Sequence, residues 1–424
     1  MDDPVDIQRE EHEENRTIID KKKGKKAVLV IVLFIVNLLN YMDRFTISGV
    51  LTRLQTSFII FYLLAAPTCG VLGDRYKRKL IMVVGLSIWI FAVTMSSIVG
   101  RENFAFFVFL RGLVGVGEAS YSTIAPTIIA DAFAGPSRSK ALMFLYFAIP
   151  VGSGLGYIGG AYVSLLFGGW QWGIRFTPLL GLICLALIVF FLEEPQRGEA
   201  EHATQATPSR SGFWKPTYRY TTLGSTGAVF AVGALSWWEL LTLICHAYAV
   251  SQGTSVVPEI EKARVALIFG LITVAAGVVG VTLGSRVAQA WHDGRWCLPA
   301  FHEAGAVVCG LGALMGVPLL SACLIVTSHH IYVAWFLMFI AVTCMCLNWA
   351  INMDILMNVI VANRRATATA MQTTVVHLLG DAFSPSIVGA ISDLVRGAFF
   401  LYSSFYVVED TKTAKHVMHG ELIL

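Results

Sequence analysis

The chain has little charge. Only 14% of its 424 residues are Asp, Glu, Lys or Arg, and 56% are hydrophobic. A soluble domain carries about 25% charged residues. The deficit excludes an ordinary water-facing surface and fits an exterior that faces lipid. A formal net charge of +3 is too small to imply a nucleic-acid partner. There is no CxxC and no His/Cys ligand cluster. The cysteines Cys69, Cys184, Cys245, Cys297, Cys309, Cys323, Cys344 and Cys346 are scattered, mostly inside apolar runs. Buried free thiols are therefore expected, and no metal site. No small-residue cleavage site follows the first apolar run, so the polar start is not read as a cleavable signal peptide. Neither a nucleophile–base set nor a phosphate-cradling loop is found. Enzyme activity and a bound cofactor are accordingly not expected.

What the sequence does have is long apolar runs. Stretches near 20 residues recur from Val28 onward, the length a bilayer-spanning helix needs. The expected spans are 27–51, 54–72, 80–99, 104–133, 138–168 and 174–192, then 223–250, 263–290, 299–325, 330–361, 366–395 and a short 396–408. This gives a cytosolic tail over 1–26, a six-helix bundle over 27–192, a charged linker over 193–222, a second bundle over 223–408 and a tail over 409–424. Two helical halves joined by a solvated linker point to a duplicated carrier, with a channel or receptor as the alternative. Basic residues recur in alternate loops: Lys21 to Lys26, then Arg75 to Lys79, Arg138 and Lys140, the linker, Arg286 and Arg295, and Arg364 and Arg365. By the bias of Lys and Arg toward the cytosol, both termini are cytosolic if the spans number twelve.

Polar groups inside these spans cost at least about 2.5–3.5 kcal/mol each when ionisable, so they default to functional hypotheses. Asn37, Asn40, Arg44 and Ser48 fall on one helical face, with Asp43 beside them. Arg111, Gly115, Glu118 and Ser122 repeat the spacing in the fourth span, and Tyr121 adjoins them. In the second half, Thr373, His377, Asp381 and Ser384 form a third stripe, while Asn348, Asn352, Asp354 and Asn358 sit in the tenth span. Both halves thus point polar groups at one interior, unless these are ion pairs that only lock helices together. His377 titrates near neutrality when unperturbed, which makes it a candidate proton site or a packed, hydrogen-bonded histidine. Gly152, Gly154, Gly156, Gly159 and Gly160 after Pro150 suit a gating helix or close packing.

The segment from Gly70 through Asp74, Arg75, Arg78 and Lys79 resembles the signature loop of the major facilitator superfamily, with Lys77 where that pattern has glycine. There Asp74 is expected at the start of a helix, on the positive end of its dipole. A closer resemblance is to the Spinster family within that superfamily. It rests on Asn37-Leu-Leu-Asn-Tyr-Met-Asp43-Arg44, on Arg111-Gly-Leu-Val-Gly-Val-Gly-Glu118-Ala-Ser-Tyr121, on Asn348-Trp-Ala-Ile, on Arg364-Arg365-Ala-Thr-Ala and on His377-Leu-Leu-Gly-Asp381-Ala. The chain departs from the family pattern in a short loop after the first span, in Trp237-Trp238-Glu239-Leu240, and in a short final span.

The resemblance implies an all-α carrier with two six-helix bundles, eleven or twelve spans here, working by alternating access. It implies a sphingolipid or lysophospholipid substrate and a proton or other gradient as driving force, with Asp43, Arg44 and Glu118 as coupling and head-group residues. Arg44 suits a phosphate, because guanidinium binds one in a bidentate way. Tyr121, Ser122 and His377 are the expected hydrogen-bonding partners of the head group. Asn37, Asn40, Arg111, Asn348, Asn352, Asp354 and Asp381 are expected as further polar lining. The expected partners are the bilayer and an amphiphilic lipid, with the chain monomeric. Glu14-Asn-Arg-Thr-Ile18-Ile19 resembles an acidic di-leucine signal, which favours late endosome or lysosome, with plasma membrane second. The short loop and short last run favour a non-transporting lipid-binding or regulatory protein as the rival reading. A carrier of another organic solute is the second alternative.

Overall fold

The computed structural model describes residues 4–46, 52–100, 103–167, 170–203, 215–236, 239–252, 258–295, 299–301, 303–327 and 330–384, with 387, 390, 391 and 394. All regular structure among them is helical. The first half comprises α1 (Pro4–Thr46), α2 (Thr52–Arg75), α3 (Arg78–Ser96), α4 (Phe104–Ser122), α5 (Ala125–Ala132), α6 (Gly135–Phe167) and α7 (Trp170–Phe191). A short α8 (Glu199–Ala203) follows. The second half comprises α9 (Pro216–Ser236), α10 (Glu239–Ser251), α11 (Glu259–His292), α12 (Ala304–Thr327), α13 (Ile331–Cys346), α14 (Trp349–Val359) and α15 (Arg365–Val376), the last continued by a π-helical turn over His377–Ala382.

Among the described residues, nine helical segments are long and apolar enough to cross a membrane. Many carry large apolar side chains on their outer faces, such as Leu64, Phe190 and Tyr332, as a lipid-facing surface requires. The helices α9 with α10, and α15 with its π turn, occupy the seventh and eleventh places in the order. The expected fourth and tenth spans are each broken in two. α4 gives way to α5 at Thr123 and Ile124, where Pro126 lacks the N–H that an unbroken helix would use. α13 gives way to α14 at Leu347 and Asn348. Helical structure also reaches back through the polar start to Pro4 and begins at Pro216 within the expected linker. The run 396–408, the tail 409–424, Ser48 and Trp237-Trp238 lie outside the described residues.

The glycines after Pro150 explain how the halves meet. α6 runs between α1 of its own half and α11 of the other. A Cβ on Gly152 would sit 2.5 Å from the carbonyl of Leu38, and one on Gly160 2.7 Å from that of Thr46. On the next face, Gly154 and Gly270 each abut the other's carbonyl at 2.5–2.7 Å from the position of a Cβ. Small residues at this period let backbones touch. Gly159 meets nothing within 4 Å and takes no part in that contact.

Candidate functional site

Between the halves lies a cavity of about 260 Å³, walled mostly by apolar groups from both. Arg44 on α1 reaches into it. Its guanidinium donates to Glu118 Oε1 on α4 at 3.3 Å and to Asp381 Oδ2 on the π turn at 3.4 Å. One arginine thus joins two carboxylates, one from each half. His377 Nδ1 lies 2.7 Å from the same Asp381 oxygen, and Tyr62 meets the His377 ring edge-on at 5.2 Å between centroids. Tyr62 also shares a 2.9 Å hydrogen bond with Ser122. The π turn places His377 and Asp381 together, as extra-residue turns often do at functional sites. Gly233 on α9 makes room for Asp381, since a Cβ there would come within 2.8 Å of its Oδ1.

Of the residues expected in this site, Arg44, Ser122, Asn348, Asn352, His377 and Asp381 line the cavity. Glu118 and Tyr121 sit just behind the wall, each 2% exposed, with Glu118 Oε2 and the Tyr121 hydroxyl lacking partners. The remaining expectations need correction. Asp43 does not share the cavity with Arg44. Successive residues on a helix point about 100° apart. Asp43 therefore turns toward α4 and α7, where Arg111 donates to it at 3.5 Å and Thr177 at 2.9 Å. Arg111 belongs to that separate buried pair. Asn37 donates to the Leu145 carbonyl at 3.2 Å, and Asn40 is buried with its Nδ2 lacking a partner. Neither is among the cavity-lining residues.

Asp354 is also displaced, to the face that carries the basic loops. There it accepts from Arg138 at 2.9 Å and from Ser139 at 2.5 Å. This face is closed by ion pairs between the halves. Asp74 does not cap the helix that follows it. It ends α2 and caps α15 of the other half, accepting the backbone N–H of Ala366 at 3.0 Å and of Thr367 at 2.9 Å. That matches a carboxylate to the positive end of a helix dipole. The start of α3 is capped instead by Glu194, which accepts from the N–H of Arg78 at 3.0 Å. Asp131, fully buried, bridges Arg78 at 2.5 Å and Arg365 at 3.2 Å. Glu201 of α8 also pairs with Arg365, and stands 3.7 Å from Arg138. Lys79 donates to the Val189 carbonyl at 2.8 Å, and Arg75 is exposed.

Asp131 carries a sequence signal for this role, a lone carboxylate ending an apolar span opposite loops rich in arginine; Glu201, one of several carboxylates in the charged linker, carries none.

Gly70 permits this closure. A Cβ at that position would meet the Ala370 side chain and lie 2.8 Å from the Ala366 carbonyl. Gly70→Leu is therefore expected to disfavour the closed face by about 1–3 kcal/mol, the scale of overpacking. Distances between spin labels on α2 and α15 should shift to longer values. An unchanged distribution would show that the contact does not control closure.

This arrangement, two helical halves around a charged cavity with a closed basic face, defines a membrane carrier. The family model described as Major Facilitator Superfamily matches residues 27–385. Among solved structures, a bacterial homologue of the human lysosomal transporter Spinster, described as inward-facing and unoccupied, has a TM-score of 0.62 at 19% identity. The match covers 91% of this chain and 86% of that one. The likeness in sequence is closer. Protein spinster homolog 1 of Xenopus laevis is 37% identical over 449 residues, covering 94% of this chain and 84% of its own length. Protein spinster homolog 1 of Homo sapiens is 40% identical over 397 residues, covering 88% and 74%. The chain belongs to the Spinster family of the major facilitator superfamily, which consists of transporters and not of enzymes.

Proposed function

We propose that this transporter carries a single-chain phospholipid or sphingoid phosphate, coupled to a proton gradient. The observation that carries the reading is Arg44, suspended in a largely apolar cavity between carboxylates of opposite halves. A substrate phosphate can replace one carboxylate on the guanidinium, and the apolar wall suits an acyl or sphingoid tail. Tyr62, Ser122 and His377 surround the head group with hydrogen-bonding partners. The cavity also explains why a lone lipid-binding role is the weaker reading. Its charges connect the halves, so exchanging one partner for a ligand alters how the halves are held. Competition binding of several lysolipids and a sphingoid phosphate to the purified protein tests this. Phosphate-bearing amphiphiles should compete and a sugar should not; the reverse order would favour a carrier of another solute.

The face closed by Asp74, Asp131 and Arg138 carries the basic loops, and we assign it to the cytosol with both termini. The structure then represents a carrier shut toward the cytosol. Opening there requires release of the Arg138–Asp354 and Arg365–Asp131 pairs, consistent with rocking of the halves about a central site. We assign a monomer in late endosomes or lysosomes, ahead of the plasma membrane, on the strength of Glu14 to Ile19. Changing Ile18 and Ile19 to alanine is expected to move a tagged chain from lysosomes to the cell surface. An unaltered distribution on imaging would remove the motif from the argument.

A further inference from the structure

At the end of the cavity nearest the closed face stand two amides that the head-group reading above does not use. Gln372 on α15 is 2% exposed, and its Nε2 has no partner. Asn352 on α14 likewise leaves its Oδ1 buried and without a partner. Both line the cavity. Their position follows from the helices that bear them. Asn352 is two residues from Asp354, which the closed face holds. Gln372 is five residues beyond Thr367, which Asp74 caps. From Gln372 the helix advances about 7 Å to His377 and about 13 Å to Asp381, at about 1.5 Å per residue. The amides therefore lie toward the closed face from Arg44 and Asp381, with His377 between.

We propose that Gln372 and Asn352 form a neutral subsite that takes the hydroxyls of a polyol head group whose phosphate lies on Arg44. One unpartnered atom is a donor and the other an acceptor. A hydroxyl is both, whereas an ammonium only donates and a carboxylate only accepts. Asp381 is the carboxylate among the cavity-lining residues, and it lies about 13 Å along the helix from Gln372, so an ammonium at the amides would have no adjacent counter-charge. A phosphate alone cannot serve both Arg44 and the amides, but one esterified to glycerol or inositol can. This inference rests on the lysolipid reading and narrows it to hydroxylated head groups. A ligand that fills this end without hydroxyls displaces water and leaves both amides unmade, which is how a polar pocket rejects an apolar analogue.

The test compares lysophosphatidylglycerol with lysophosphatidylpropanol of the same acyl chain, which keeps charge and size and lacks the two head-group hydroxyls. Wild type should bind the glycerol lipid about tenfold more tightly, the scale of one or two buried hydrogen bonds. Gln372→Met, close in shape, should weaken the glycerol lipid to the level of the propanol lipid and leave the latter unchanged. Asn352→Leu should do the same, and serves as the second variant if the first fails to fold. Arg44→Lys should weaken both lipids alike. Equal affinities in wild type, or a variant that weakens both lipids together, overturns the subsite while the lysolipid reading stands. Failure of folded wild type to bind either lipid overturns both.

Discussion

Glu118→Gln is expected to leave a folded protein whose transport no longer depends on pH. Arg44 faces two carboxylates, Glu118 and Asp381, and one of them also touches His377. With both carboxylates ionised and His377 neutral, the cluster carries one negative charge more than positive. A buried excess charge is costly, and under the proposed coupling a proton drawn from the gradient offsets it. Removing the charge of Glu118 leaves Arg44 and Asp381 as a balanced pair with no excess charge to neutralise. The substitution is nearly isosteric, so packing around α4 should survive. The measurement is initial transport rate across a pH series in wild type and variant. A variant that keeps the wild-type profile assigns Glu118 to helix packing alone. Asp43→Asn supplies the contrast: Asp43 pairs with Arg111 and Thr177 away from the cavity, so it should lower stability while retaining the pH profile.

Arg44→Lys is expected to weaken phosphate-bearing ligands by about 1–3 kcal/mol, the scale of a hydrogen bond to a charged group. Lysine keeps the charge and loses the planar fork, so the substitution is not conservative at a bidentate site. The geometry sharpens the expectation. Two nitrogens of Arg44, Nη1 and Nη2, reach different helices at once, and the guanidinium stacks 5.1 Å from the Phe58 ring. An ammonium reproduces neither feature. A neutral long-chain amino alcohol, which has no phosphate, should lose much less affinity. The two ligands are to be measured in wild type and variant at one pH and salt. Equal weakening of both would mean that Arg44 holds α1, α4 and the π turn together and does not read the head group.

These two residues also show how far the sequence reaches. The 3.6-residue spacing of Asn37, Asn40 and Arg44 tells that they share a face, and the family resemblance tells that Arg44 and Glu118 belong together. Periodicity does not say which neighbour lies on that face. Asn37 meets α6 while Arg44, two turns on, meets the cavity, because helices cross at angles and part along their length. Asp43 and Arg44 look like one charged unit in the sequence and serve two separate ion pairs in the fold. The link from Arg44 to Asp381 spans 337 positions, and no local pattern announces it. Asp74 illustrates the same limit. Its affinity for a helix N-terminus is legible, but the helix it caps is 292 residues further on. The helical order and the fold class were legible because they depend on local composition and length. The face closed by Asp131, Arg138 and Glu201 was not, because it exists only once the halves meet.

On the reading proposed above, these charges move a phosphate-bearing lipid across a bilayer under a proton gradient. Uptake of labelled lysophospholipid into proteoliposomes tests it most directly, with the internal and external pH set independently. Uptake is expected to be saturable, to rise with the imposed gradient, to fall when the gradient is dissipated, and to lose its dependence on pH in Glu118→Gln. Uptake no greater than that of protein-free vesicles under every gradient, by protein that still binds the lipid, would contradict it.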